Sequence, residues 1–430
     1  MKSSLRILFV AYYHGLGHVV RSAVAAEELH RRGHSVLFAC SARAVHIPDS
    51  YGLTCEEIFE LDPIQAAQAP GPAQPPARPS VASTAPPPAK SASSGSGSPH
   101  QASLEPASAK KGSRVAEISY VQRCLSDEAD LIKRFKPDVV VSDFRNTTGI
   151  SCALAGVPSV SLYNARFFEH PIADILPDVL ETLRELQIPD WARAKFFGDV
   201  IVIPDFSFFD PMTVIPKQIM DMIVASVKEI RYVGPLVRSI VKPATKRDLF
   251  QVDRPVILIT FGGTAMSFEH LKAALLALSG GIEANLVIIT GPNIAPEIIS
   301  PLVDDIVKNG NSSAKVFGFT ERAFEFIQMA DVAIIHGGHG TMMEAIVSGT
   351  PLIVVPAQKE QLDNARRVID LGVGRIIAPD EIQSDLRSSV VDMMQNEAVR
   401  ERCSHVSATF GHTSGARAFA DLMEGSWWRP

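Results

Sequence analysis

The sequence predicts an α/β protein made of two doubly wound parallel-sheet domains. Three observations carry that prediction. Short apolar runs alternate with stretches of helical periodicity, the alternation starts afresh in the second half, and glycine-bearing turns follow several runs directly. A length of 430 residues allows two or three domains.

In the first half, the apolar run 6–11 reads as a strand and leads into Tyr12-Tyr13-His14-Gly15-Leu16-Gly17-His18. Residues 18–32 place Val19, Ala23, Ala26 and Leu29 on one helical face and stop at Gly33. Strands are expected at 35–39, 139–142, 159–162, 200–203 and 231–233, and helices at 118–135, 147–155 and 171–195. The second series has strands at 256–261, 286–290, 315–317, 332–335 and 352–355. Its helices are expected at 268–278, 322–329, 341–347 and 361–371. The resulting division is 1–236 for the first domain, 237–253 for a polar linker containing Pro243, 254–405 for the second domain, and 406–430 for a terminal helical segment.

One stretch departs from this pattern. Residues 63–114 are dominated by Ala, Pro, Ser and Gly and contain no aromatic residue. Such a segment cannot bury enough apolar area to offset its chain entropy, so it reads as a disordered insertion in a surface loop.

Composition removes several classes of function. Lys plus Arg is 41 and Asp plus Glu 47, for a net charge of −6, which argues against a general nucleic-acid binder. The 46% hydrophobic content supports large cores. Five scattered cysteines with no C-x-x-C speak against a zinc ribbon and fit a reducing, cytoplasmic setting. No apolar run reaches the roughly 18–20 residues of a membrane span, and the first apolar run is too short for a signal peptide.

In an open parallel sheet, ligands lie beyond the carboxyl ends of the strands. That rule selects the turn 12–18, the turn 143–147, the turn Gly262-Gly263-Thr264 and the turn His336-Gly337-Gly338-His339-Gly340-Thr341. The last is the strongest local signal. Its glycines admit close approach of a ligand, and the amides at the start of the next helix favour a phosphate. Neither G-x-G-x-x-G nor a P-loop pattern occurs. Glu344, one turn into that helix, suits a ribose diol, and Glu360 beside Gln361 suits sugar hydroxyls. In the first half, His18 is a candidate general base and Asp143 its orienting carboxylate, with His14 as the competing base. Asp138 lies at the opposite end of its strand and is set aside.

These motifs together resemble the GT-B-fold, nucleotide-sugar-dependent inverting glycosyltransferases, in particular the macrolide and natural-product enzymes and the UDP-glycosyltransferases. The resemblance rests on Phe319-Thr-Glu-Arg322, His336 to Thr341, Glu344, Gly349-Thr-Pro351, Pro356, Glu360-Gln361 and Asn364, together with Gly17-His18 and Tyr232-Val-Gly-Pro235. It implies two Rossmann-like domains facing across a cleft, with the terminal helix returning to the first. It implies that Gly263, Thr264, His336, Gly338, Gly340 and Thr341 hold the donor diphosphate. Phe319 is implied to stack on the base, Glu344 to bind the ribose, and Glu360 with Gln361 the sugar. The implied reaction moves a sugar from a UDP-sugar co-substrate to a hydroxyl of a small hydrophobic or lipid-like acceptor, with no metal or other cofactor.

One departure is Arg21, where many relatives carry proline three residues after the histidine. The same turn pattern occurs in UDP-sugar hydrolases, so a hydrolase or a UDP-N-acetylglucosamine 2-epimerase is the alternative enzyme reading. A non-catalytic nucleotide-sugar-binding protein is the second alternative. The amphipathic stretch 171–197 reads as a helix packed on its own domain, with an acceptor-pocket wall or a peripheral membrane contact as its other readings.

Overall fold

A computed structural model describes residues 4–12, 16–60, 114–169, 171–238, 245–251, 253–262, 267–279, 281–309, 312–411 and 414–425. The expected insertion at 63–114 lies, apart from its last residue, outside these, as do Gly263, Thr264 and His14.

The first domain is a seven-stranded sheet of β1 (Arg6–Ala11), β2 (Ser35–Cys40), β3 (Thr54–Glu57), β4 (Val139–Asp143), β5 (Ser159–Leu162), β6 (Val200–Ile203) and β7 (Glu229–Tyr232). The strands lie in the order β3-β2-β1-β4-β5-β6-β7, and every pairing is parallel. The second domain holds β8 (Val256–Thr260), β9 (Asn285–Ile289), β10 (Ser313–Phe317), β11 (Val332–Ile335), β12 (Leu352–Val354) and β13 (Gly374–Ile376). Their order is β10-β9-β8-β11-β12-β13, again parallel throughout. Helices cover the sheets, and central strands such as β1 and β8 are apolar on both faces, as a sheet covered on both sides requires.

Each order reverses at one place, between β1 and β4 in the first sheet and between β8 and β11 in the second. A crevice opens at such a point, outside the carboxyl ends of the two strands. The four turns singled out from the sequence follow these four strands.

Several elements differ from the sequence expectation. The helix expected over 171–195 is broken into Pro171–Glu185 and Asp190–Arg193. Gln187 takes a left-handed backbone, φ 55°, which ends the first piece, and Pro189, extended at ψ 147°, starts the second. The strand expected at 231–233 begins earlier, at Glu229. The helix His46–Ser50, edge strands β3 and β13, and helices Lys217–Ser226, Pro296–Asn309, Ile382–Gln395 and Glu397–Gly411 have no counterpart in the expected list. The edge strands are short and only partly buried, so their apolar signal is weak.

The last described helix, Gly415–Glu424, leaves the second domain and packs on the helix Leu16–Arg31. Ala416, Phe419, Ala420 and Met423 are buried in the same cluster as Phe9 and Val19, with the Phe9 and Phe419 ring centroids 6.3 Å apart. Arg32 bonds Asp421 at 2.6 Å and His34 Nε2 lies 3.3 Å from Glu424 at its edge. Gly415 has no room for a side chain, because a Cβ there would lie 2.2 Å from the Pro235 carbonyl oxygen. Phe419→Ala is expected to cost about 3–5 kcal/mol through the cavity it leaves. A fall in the urea midpoint at unchanged slope checks this, and an unchanged midpoint would show that the helix is not part of the first core.

Candidate active site

β1 and β4 run side by side with Ala11 opposite Asp143, and the Tyr12 amide bonds the Asp143 carbonyl at 3.0 Å. The chain after β1 therefore starts the helix Leu16–Arg31 directly beside the end of β4. His18, Arg21 and Ser22 lie on the face of that helix toward Asp143. His18 Nδ1 is 2.8 Å from Asp143 Oδ1. Arg21 grips both carboxylate oxygens, Nε to Oδ2 at 2.7 Å and Nη2 to Oδ1 at 2.6 Å, and Ser22 Oγ donates to Oδ2 at 2.8 Å.

Asp143 is 1% exposed. Burial alone would raise its carboxyl, but the Arg21 guanidinium and then His18 outweigh it and hold the group at about 2. An ionised carboxylate only accepts, so His18 Nδ1 carries the proton and Nε2 keeps its lone pair. Arg21 Nη2 also lies 3.2 Å from Nδ1, and both are donors, so the Arg21 hydrogens go to Asp143 and not to the ring.

Aromatic rings surround this histidine. Phe144 stacks on it at 5.2 Å with planes 14° apart, Phe167 lies tilted at 5.5 Å, and Tyr12 meets it edge-on at 6.1 Å. Phe144 adopts φ 54°, a left-handed backbone unusual for so bulky a residue. Strain of this kind persists where the surroundings impose it, and here it brings the ring after Asp143 over His18.

The opposing wall comes from the second domain. β11 ends at Ile335, the turn His336–Gly338 follows, and helix His339–Ser348 begins with Gly338 as its cap residue. Gly337 takes φ 91°, and Cβ atoms at Gly262 and Gly338 would meet the His336 ring at 2.8 and 2.5 Å. The turn is therefore closed tightly around this imidazole. Burial pulls His336 down to about 4, against the opposing effect of a hydrogen bond to the Thr260 backbone, so the ring is neutral near pH 7 with its buried Nδ1 left unpaired. The amides at the start of the helix fit an anionic ligand beside this ring. A Cβ on Gly340 would lie 3.9 Å from Gly17 Cα, so the two glycine turns come together across the cleft.

The other expected donor residues line the same side. Loss of surrounding water pushes the Glu344 carboxyl up to about 7, against the opposing effect of Arg238. Phe319 does not present a free ring: it packs against the first-domain core, with His46 edge-on at 4.9 Å. Arg238 lies over Tyr51 beside it and donates to the Glu321 carbonyl at 2.9 Å. Gln361 is buried, and its Oε1 accepts from the Ala357 amide at 2.8 Å. Glu360, exposed one residue earlier, opens the helix Lys359–Asp370. Asn364 Nδ2 donates to the Gly337 carbonyl at 2.8 Å and so fastens the glycine turn. Thr341 is half-buried in the first turn of its helix. Asp138 accepts from the Arg6 amide at 2.8 Å, at the far edge of the sheet.

Residues 256–419 match the glycosyltransferase family 28 C-terminal domain. The chain is a GT-B glycosyltransferase. Its curated relatives include uncharacterised glycosyltransferases of Methanosarcina mazei, 27% identical over 68% of this chain and 74% of the relative, and of Methanosarcina acetivorans, 22% identical over 98% of both. An NDP-glycosyltransferase of Bacillus subtilis is 24% identical over 68% of this chain and 74% of its own. Among solved structures, the glycosyltransferases of kitacinnamycin and calicheamicin superpose on this glycosyltransferase with TM-score 0.66 at 19% and 18% identity, over at least 98% of each chain. That likeness establishes the two-domain fold. Among the described residues no helix is long and apolar enough to cross a membrane.

The sequence reasoning missed Arg21, Ser22 and Phe144 as partners of His18 and Asp143. It also missed Asn164 and Asp205, which stand just past β5 and β6. The rule that selected Asp143 would have selected both. Arg21, three residues after His18, shares its helical face, which is the signal that was available.

Replacing Asp143 by Asn leaves Arg21 buried without its anion and is expected to cost about 3–5 kcal/mol. Because the folded carboxyl is depressed, its contribution is complete above the ordinary carboxylate range, about pH 4, and disappears as the pH falls toward about 2. Urea titrations from pH 7 to pH 2 check both points. The wild type should lose its advantage over the Asn variant only in that acid window.

Proposed function

We propose that this glycosyltransferase is inverting, takes a UDP-sugar, and transfers the sugar to a hydroxyl of a small hydrophobic or lipid-like acceptor. The observation that carries the reading is His18, tautomerically fixed by a buried, Arg21-held Asp143, standing opposite a glycine turn that contains an unpaired imidazole nitrogen. His18 Nε2 takes the acceptor proton as the acceptor oxygen attacks the anomeric carbon. The bond from that carbon to the diphosphate oxygen breaks, and UDP leaves with the electron pair. Asp143 stabilises the imidazolium that forms. The rings of Phe144, Phe167 and Tyr12 support an apolar acceptor.

On the donor side, the amides at the start of helix His339–Ser348 meet the diphosphate, together with His336, Gly263, Thr264, Gly338, Gly340 and Thr341. In this reading the leaving diphosphate needs no metal. Glu344 binds the ribose, Phe319 the base once His46 moves from its ring, and Glu360 with the free amide of Gln361 the sugar. A cytoplasmic setting belongs to the same proposal and is supported by the sparse, scattered cysteines. Arg21 on Asp143 keeps hydrolysis of the same donor as the second reading, and incubation with donor alone separates the two by its rate.

His18→Ala is expected to lower kcat by roughly 10²–10⁴ with little change in UDP affinity. Steady-state rates with calorimetric UDP titration test this, and an unimpaired variant would remove the base assignment. Ribose hydroxyls donate to a carboxylate better than to a carboxylic acid, so UDP should bind wild type more tightly as the pH rises through about 7. Comparison with Glu344→Gln, which shares the phosphate titration of UDP but not the carboxyl, isolates the effect. Equal pH slopes in the two proteins would place the ribose elsewhere.

A further inference from the structure

The turn that carries Phe144 is held at its far end by a second buried carboxylate, Glu128. It lies on the helix Arg114–Phe135 and is 1% exposed. Its Oε1 accepts from Arg145 Nε at 2.6 Å, Thr147 Oγ1 at 2.7 Å and Thr148 Oγ1 at 3.0 Å, and its Oε2 accepts from Ser151 Oγ at 2.6 Å. Arg145, 4% exposed, also donates from Nη2 to the Phe59 carbonyl at 2.8 Å, and its own carbonyl accepts from Ser142 Oγ at 3.0 Å. The Tyr163 hydroxyl donates to Asn146 Oδ1 at 2.9 Å. Asp143, Arg145, Asn146 and Thr147 are thus each fastened by a side-chain hydrogen bond, and Phe144 among them offers only a ring.

We propose that Glu128 is a positioning residue: by fixing Arg145 and the two threonines it imposes the left-handed backbone of Phe144, and so keeps that ring stacked on His18. The consequence for catalysis rests on the reading of His18 as the base. It is the same whether the attacking oxygen comes from an acceptor or from water.

Asp143 is locked to one helix through Arg21 and Ser22, and Arg145 to another through Glu128. The backbone between them therefore has a fixed entry and a fixed exit. A phenylalanine left to itself avoids φ 54°. Two buried ion pairs, each costly to break, outweigh that preference. The stack then supplies what Asp143 alone does not. A single hydrogen bond at Nδ1 places one atom of the imidazole and leaves its tilt adjustable. The Phe144 ring, 14° from parallel at 5.2 Å, fixes the plane and with it the direction of Nε2. Phe144 also meets the rings of Tyr12, Tyr163 and Phe167 at 5.7, 6.0 and 4.7 Å, so ring packing is the competing cause of its backbone.

The test uses the full-length chain with isotope-labelled histidine, observed by NMR. Comparison with His18→Ala identifies the His18 ring resonances, and comparison with Phe144→Leu gives the displacement that the Phe144 ring current causes. Glu128→Gln keeps the side chain's shape and removes its anion. It should abolish that displacement, moving the His18 resonances to their Phe144→Leu positions in a folded protein, which a loss of stability alone would not do. The backbone is read separately by urea midpoints. If the clamp sets φ, Phe144→Gly should be more stable than Phe144→Ala, because glycine accepts a left-handed backbone without strain. In the Glu128→Gln background the order should reverse. Should Glu128→Gln not fold, the double variant Glu128→Met with Arg145→Met removes both members of the pair and takes its place in both measurements. Resonances unmoved in the Glu128 variant, or glycine favoured equally in both backgrounds, would overturn the proposal and leave the base reading standing. So would alanine outlasting glycine with Glu128 intact, which would assign the backbone to ring packing. Undiminished kcat in His18→Ala overturns the base reading instead, and with it the catalytic meaning of the stack, whatever the resonances show.

Discussion

The Asp143 carboxylate is the point from which the catalytic half of the cleft is organised. It is fully enclosed, and a lone buried anion would be intolerable there. Arg21 compensates the charge, Ser22 takes a further lone pair, and His18 takes what remains. Those three come from one helical turn, so a single charge fixes how the helix Leu16–Arg31 sits on the sheet. Because the carboxylate stays ionised, the histidine's tautomer is decided before any substrate arrives.

A second constraint is topological. Parallel strands place all their carboxyl ends on one edge, and the reversal of strand order opens that edge at one point in each sheet. When two such domains face each other, one turn from each meets the other, here at Gly17 and Gly340. The apolar rings gather on the first-domain side around His18, whereas the unpaired imidazole and helix amides lie on the other. The two walls differ in the chemistry they can bind, as a reaction between a charged donor and an uncharged hydroxyl requires.

Much of this was legible in the sequence, and for an identifiable reason. Alternating apolar runs and helical periods follow from burial on two faces, and burial is written in residue type. The glycine-histidine turn was visible because special backbone geometry restricts residue choice, as at Gly337, and Gly17-His18 because it follows a strand so closely. The side-chain network was not visible in the same way. Asn164, Asp205 and His339 are far apart in the chain and individually ordinary, and only the folded register makes them neighbours. Phe319 shows the opposite case. Its position suggested an open stacking face, but an aromatic residue at a domain seam serves equally well as packing, and here His46 and the first core cover it. The break at Gln187 escaped notice because the apolar periodicity runs through it, while the backbone does not.

The return of the last helix has a consequence for how the chain matures during synthesis. A ribosome that has finished β7 has made every strand of the first sheet but not the layer formed by Ala416, Phe419, Ala420 and Met423. The outer face of the helix Leu16–Arg31 therefore stays uncovered while the whole second domain is being translated. The second sheet, by contrast, can collect all its strands within one continuous stretch. The domain made first is thus the one completed last, and for that interval its apolar helix face is a natural landing place for a chaperone.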